Sequence, residues 1–163
     1  MQDTGMLFEF AVSKTSADND VGRVCSHFTR WAMDISLTDE EMEAVREFEW
    51  TLGGVLALTN DYFSWRKEKL QCTDRVRNAV PLLMRQYGLP QDAARMLLKG
   101  IIIDEEEKAK RLRMKLEEGE MSTELKRYVG ALEMYAGGNC YWSATCPRYN
   151  KPQEEQEMKE HNT

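Results

Sequence analysis

From Thr38 to about Leu70 the chain runs without a proline, and its apolar residues recur at helical spacing. Met42, Val45, Phe48, Leu52, Val55, Leu56 and Thr59 share one face of a helix. The start of this helix is written locally. Thr38-Asp39-Glu40-Glu41 is a capping box: the Thr38 side chain accepts from a backbone N–H while the Glu41 carboxylate reaches back. Elsewhere Gly and Pro are scarce, and no strand-like alternation survives more than a few residues. The fold class is therefore all-α.

The remaining helices are read in the same way. Val24, Phe28, Trp31 and Ala32 predict one over roughly 21–33. Thr73-Asp74 predicts the start of another over 75–87, kinked at Pro81 and stopped by Gly88. Leu89-Pro90-Gln91-Asp92 opens a long helix to about Glu118. Its Asp104-Glu105-Glu106-Glu107 run is flanked by charge on every side and reads as a solvated face, not a metal site. Ser122-Thr123-Glu124 opens the last strong helix. It places Leu125, Tyr128, Val129, Leu132, Tyr135 and Ala136 at core spacing and reaches Gly137-Gly138. Residues 151–163 are polar and aperiodic and read as a linker after a single domain over 1–150.

Composition excludes several function classes. With 42% hydrophobic and 31% charged residues, the 163-residue chain is globular. A net charge of −6 argues against a nucleic-acid partner. No apolar run approaches a membrane span. The start, Met1 to Phe10, lacks the basic region and apolar core of a secretory signal. Cys25, Cys72, Cys140 and Cys146 form no C-x-x-C pair, and His27 and His161 sit outside zinc spacing. Free thiols in a reducing, cytoplasmic compartment are expected.

The chemistry-bearing feature lies late in the long helix. The stretch Asn60 to Glu68 reads N-D-Y-F-S-W-R-K-E and puts Asn60, Ser64 and Glu68 at i, i+4 and i+8. That spacing advances about 40° and rises about 6 Å per step, so the three side chains lie on one stripe. An amide oxygen, a hydroxyl and a carboxylate make a hard-cation site of low charge. Mg²⁺ accepts such ligands when a phosphorylated substrate supplies further negative charge. A solvated polar face would look similar, but Asn, Asp and Ser are poor choices inside a helix, and a ligand site gives them a reason. Gly53-Gly54, just upstream, allows close helix packing, room for a substrate or a local bend. A second element follows near the end, where Arg148-Tyr149 can clamp phosphate oxygens.

N-D-x-x-S-x-x-x-E followed by a late R-Y pair, on all-helical segments, resembles the class I terpene cyclases. The wording N-D-Y-F-S-W-R-K-E with G-N-C-Y-W-S-A-T-C-P-R-Y is similar to the cyclase domains of fungal bifunctional terpene synthases, from about Asp3 to Tyr149. The resemblance implies the C-terminal part of a class I terpenoid synthase helical bundle. It implies Asn60, Ser64 and Glu68 as ligands within a cluster of three Mg²⁺ ions, and Lys67, Arg148 and Tyr149 as diphosphate contacts. Leu56, Tyr141 and Trp142 are candidates for the hydrocarbon pocket, where aromatic faces stabilise carbocations.

The implied reaction is ionisation and cyclisation of a polyprenyl diphosphate, with geranylgeranyl diphosphate as the expected substrate. A prenyltransferase domain in a longer parent protein is implied as well. The family's aspartate-rich motif and upstream arginine sensor have no counterpart before Asn60. The chain is thus expected to hold the C-terminal half of a cyclase domain and to be inactive alone. The rival expectation is a non-catalytic helical remnant acting by association. In either case a half-bundle would expose apolar faces, which favours a homo-oligomer.

Overall fold

The computed structural model describes residues 17–70 and 78–150, with side chains from residue 23 onward. Among the described residues six helices follow one another: α1 (Ala17–Ala32), α2 (Asp39–Glu68), α3 (Ala79–Tyr87), α4 (Gln91–Glu117), α5 (Thr123–Thr145) and the single turn α6 (Pro147–Asn150). No strand occurs among the described residues. The chain is all-α, as its patterning predicts.

α2 is the axis of the bundle. Its 30 residues extend about 45 Å. Both halves of the capping box form: Glu41 N donates to Thr38 Oγ1 at 3.2 Å, and Thr38 N donates to Glu41 Oε2 at 2.9 Å. The helix passes through Gly53 and Gly54 unbroken, with Gly54 buried. α1 ends in a Schellman motif. Asp34 takes the left-handed conformation (φ 51°), and Ile35 N closes back on Arg30 O at 2.9 Å.

Two apolar clusters flank α2. Around its C-terminal half, Val55 and Leu58 pack with Ala79, Val80 and Leu83 of α3 and with Ala94, Leu98, Ile101 and Ile102 of α4. Around its N-terminal half, Val45, Phe48 and Leu52 pack with Ile35, Ala109 and the α5 residues Leu125, Tyr128, Val129 and Leu132. Each fully buried leucine here contributes about 1.5–3 kcal/mol relative to exposure.

Four expectations are corrected. The helix expected over 75–87 begins at Ala79, with Asn78 as its N-cap, so Pro81 sits in the first turn and produces no kink. The expected start at Thr73-Asp74 lies outside the described residues. α5 does not stop at Gly137-Gly138. Neither glycine has positive φ, and the helix continues until Cys146 adopts extended backbone ahead of Pro147. On α1, Val24, Phe28 and Trp31 face solvent, at 50, 59 and 75% exposure. Within the acidic run, Asp104, Glu106 and Glu107 are exposed but Glu105 turns inward and is buried.

Candidate metal and diphosphate site

The polar stripe forms as its spacing requires. Ser64 is buried (2% exposed), while Asn60 and Glu68 are half-buried, as is Leu56 one turn before Asn60. The first contact is a long-range one. Asn60 Nδ2 donates to the Tyr149 hydroxyl at 3.0 Å, joining two motifs 89 residues apart. The turn α6 makes this possible. Pro147 breaks α5, the chain reverses, and Tyr149 is buried against α2. Asn150 fixes the turn by donating to the Ser143 and Cys146 carbonyls at 3.1 and 3.0 Å. Because the amide nitrogen of Asn60 is engaged by Tyr149, its carbonyl oxygen is the atom it can offer a cation.

Around Tyr149 the two other late residues take different places. Arg148 is exposed, with its guanidinium carbon 5.6 Å from the Tyr149 ring centre. Trp142 meets the same ring edge-on at 5.7 Å and keeps 48% of its surface exposed. Tyr141 points away into solvent at 74% exposure, and Lys67 is exposed one residue before Glu68. The structure thus draws Asn60 and Tyr149 together, brings Trp142 alongside, and leaves Tyr141 out.

The lower part of the stripe meets a residue that sequence patterning did not single out. Asn78 is 1% exposed, and its Nδ2 lies 3.0 Å from Glu68 Oε2, 3.3 Å from Ser64 Oγ and 3.0 Å from the Asp61 carbonyl oxygen. Its Oδ1 accepts from Val80 N at 2.9 Å, capping α3. Asp61 adds a second cap from across the junction, with its Oδ2 accepting from Ala79 N at 2.7 Å. So the Asp of the N-D pair holds the next helix. The available signal was Asn78 ahead of Ala79-Val80-Pro81, an N-cap residue followed by a first-turn proline.

The donor set suits a hard divalent cation: one amide oxygen, one hydroxyl and one carboxylate. Among the described residues no three His, Cys, Asp or Glu side chains converge to hold a metal. With one carboxylate, the stripe has low charge and needs anionic partners. A separate cavity of about 220 Å³ opens between α2, α4 and α5, lined by Phe48, Leu52, Glu106, Glu133 and Cys140, and it contains none of the stripe residues. Although the Glu106 side chain is largely exposed, partial desolvation of its carboxyl, and then Glu107 beside it, push it above its usual range. Cys25, Cys140 and Cys146 are free thiols, while Cys72 lies outside the described residues. No described helix is long and apolar enough to cross a membrane.

Comparison with known proteins identifies the architecture. The fold superimposes on aristolochene synthase from Penicillium roqueforti with a TM-score of 0.67, covering 89% of this chain and 48% of that one. At 24% identity this likeness speaks for the fold alone. In sequence, the chain is 35% identical over 137 residues to ophiobolin F synthase of Aspergillus clavatus, covering 82% of this chain and 18% of that protein. It is 30% identical over 125 residues to fusicoccadiene synthase of Phomopsis amygdali, covering 74% and 17%. The chain therefore spans less than a fifth of the length of these curated relatives. The pattern described as terpene synthase family 2, C-terminal metal binding, matches residues 16–108, more than half of the chain, and the chain belongs to that terpene synthase family.

Proposed function

We propose that this chain supplies one of two metal-ligand sets of a class I terpene cyclase acting on a polyprenyl diphosphate, with geranylgeranyl diphosphate as the preferred substrate. The observation that carries the proposal is the 3.0 Å hydrogen bond between Asn60 and Tyr149, which unites the two polar motifs at one place. Residues 1–150 are then part of a cyclase domain and residues 151–163 the polar segment after it.

In this reading Asn60 Oδ1, Ser64 Oγ and the Glu68 carboxylate would hold Mg²⁺, which would supply positive charge to stabilise a leaving diphosphate. Tyr149 orients Asn60 through its hydroxyl and offers a donor beside the ligand stripe. Arg148, and Lys67 one position before Glu68, bring positive charge to the phosphate oxygens. Trp142, edge-on to Tyr149, presents an aromatic face to the hydrocarbon. Among the described residues no carboxylate cluster supplies the second ligand set.

The purified chain is expected to bind inorganic pyrophosphate in a Mg²⁺-dependent way and to lose this binding in Asn60→Ala and Glu68→Gln. It is expected to release no cyclic hydrocarbon from geranylgeranyl or farnesyl diphosphate. Binding that ignores Mg²⁺ and both substitutions overturns the metal assignment. A cyclic product from the chain alone overturns the need for a second ligand set. A second reading, a non-catalytic helical protein acting by association, draws support from the exposed Val24, Phe28 and Trp31.

A further inference from the structure

The Asn78 side chain raises a question of stoichiometry. Its –NH₂ group has two hydrogens, yet three oxygens lie within hydrogen-bond distance: Glu68 Oε2, Ser64 Oγ and Asp61 O. The amide is oversubscribed on the side facing the stripe. On its other side Oδ1 is committed to Val80 N, so the group cannot turn without uncapping α3. At 1% exposure, water has no ready access to share the load. Two of the oxygens crowding this nitrogen belong to the side chains assigned above to a cation. The two N–H hydrogens carry the partial positive charge, and the –NH₂ group stands where both oxygens can reach it.

We propose that Asn78 is a positioning residue that stands in for the cation: its amide holds Ser64 and Glu68 converged until a divalent ion takes those two oxygens from it. The inference rests on the reading of Asn60, Ser64 and Glu68 as metal ligands. Asn78 has two effects on the cation. It keeps the ligands converged, which lowers the ordering cost of binding. It also competes for the same lone pairs, and the Glu68 bond is the stronger competitor because it is charge-assisted. Competition dominates, because a lost charge-assisted hydrogen bond outweighs the ordering of two side chains that the helix already holds on one stripe.

This predicts a signature that a merely structural residue cannot give. Asn78→Ser keeps an N-cap oxygen for α3 but is too short to reach the stripe. Asn78→Asp keeps the cap and the shape but replaces the donor with a carboxylate beside Glu68. Mn²⁺ alone, titrated into the full chain and followed by loss of the free-ion electron paramagnetic resonance signal, reads the affinity. Thermal unfolding without metal reads the stability.

Both variants should melt below the wild type without metal, yet bind Mn²⁺ more tightly, Asn78→Ser by about tenfold and Asn78→Asp by more. Added Mn²⁺ should close the gap in melting temperature. Loss of stability with unchanged or weaker Mn²⁺ binding would overturn the inference while leaving the metal site standing. Mn²⁺ binding that survives Glu68→Gln, or no binding at millimolar Mn²⁺ in any form, would overturn the metal reading and this inference with it.

Discussion

α1 and the α2–α3 junction invert the usual arrangement in opposite ways. α1 turns Val24, Phe28 and Trp31 to solvent at 50, 59 and 75% exposure. Its inward side is polar: Ser26 is buried, and Arg30 Nη1 donates to the Tyr128 hydroxyl at 2.8 Å. At the α2–α3 junction the polar residues are the ones inside. Asp61, Ser64 and Asn78 are 5, 2 and 1% exposed, on the same helix pair whose Leu58 and Leu83 are fully buried. The difference lies in how each region is satisfied. The junction meets its polar groups with mutual hydrogen bonds, which makes burial tolerable and fixes geometry. α1 has an apolar surface that nothing within the described residues covers.

The sharpest way to break this contrast is at Asp61. Its carboxylate accepts from Ala79 N at 2.7 Å, and Ala79 is fully buried. Asp61→Ala leaves that N–H without its acceptor and Asn78 without its neighbour's support. The expected loss is about 2–3 kcal/mol in urea denaturation. Asp61→Asn, which keeps an acceptor, should lose less. A loss under about 0.5 kcal/mol for Asp61→Ala, the range of ordinary surface changes, would mean that the junction is not held by its polar bonds.

A smaller effect is expected where α1 is tied down. Tyr128 is fully buried; its hydroxyl accepts from Arg30 and donates to Glu49 Oε1 at 3.1 Å, linking α1, α2 and α5. Tyr128→Phe removes the link at constant shape and should destabilise by about 1 kcal/mol. It also has a pH signature. Burial above all pushes the Tyr128 phenol from 10.0 up to about 12. The folded state therefore holds its proton more tightly than the unfolded chain does. The stabilisation is complete below pH 10 and disappears as pH rises toward about 12. Melting temperature should fall across this window in the wild type and fall less in Tyr128→Phe. Some slope should persist, because the bond to Cys25, then burial, also raises the Tyr135 phenol to about 12.

How far these features could be read in the sequence follows from their range. The limits of α2 and the i, i+4, i+8 stripe depend on residues within one or two turns, so Thr38, Glu41 and Asn60 to Glu68 were legible. Gly88 was legible for the same reason, and it takes the left-handed conformation that ends α3 (φ 62°). The pairing of Asn60 with Tyr149 was suggested only by the resemblance, since no local rule connects residues 89 apart. Asn78 was missed because its capping role is local but its contacts with Ser64 and Glu68 depend on how the chain returns from α2. Periodicity carried the last helix only as far as Gly137-Gly138, but glycine weakens a helix without ending it. What ends α5 is the restriction that Pro147 places on Cys146. α1 shows the deeper limit. Periodicity reports that Val24, Phe28 and Trp31 share a side, and says nothing about whether that side is covered.

The smallest effect on stability is expected on that open face, and its smallness is informative. Trp31 is 75% exposed and meets Phe28 edge-on at a ring distance of 6.5 Å. Trp31→Ser removes little that is packed within the chain, so unfolding free energy should change by no more than about 0.5 kcal/mol. The same substitution removes the largest exposed apolar group on α1, so self-association measured by sedimentation should weaken clearly. Phe28→Ser should act in the same direction and less strongly, because its side chain is smaller. A stability loss above about 1 kcal/mol with unchanged sedimentation would reverse the contrast: α1 would then hold its place through its apolar side, and the Arg30–Tyr128–Glu49 network would be secondary.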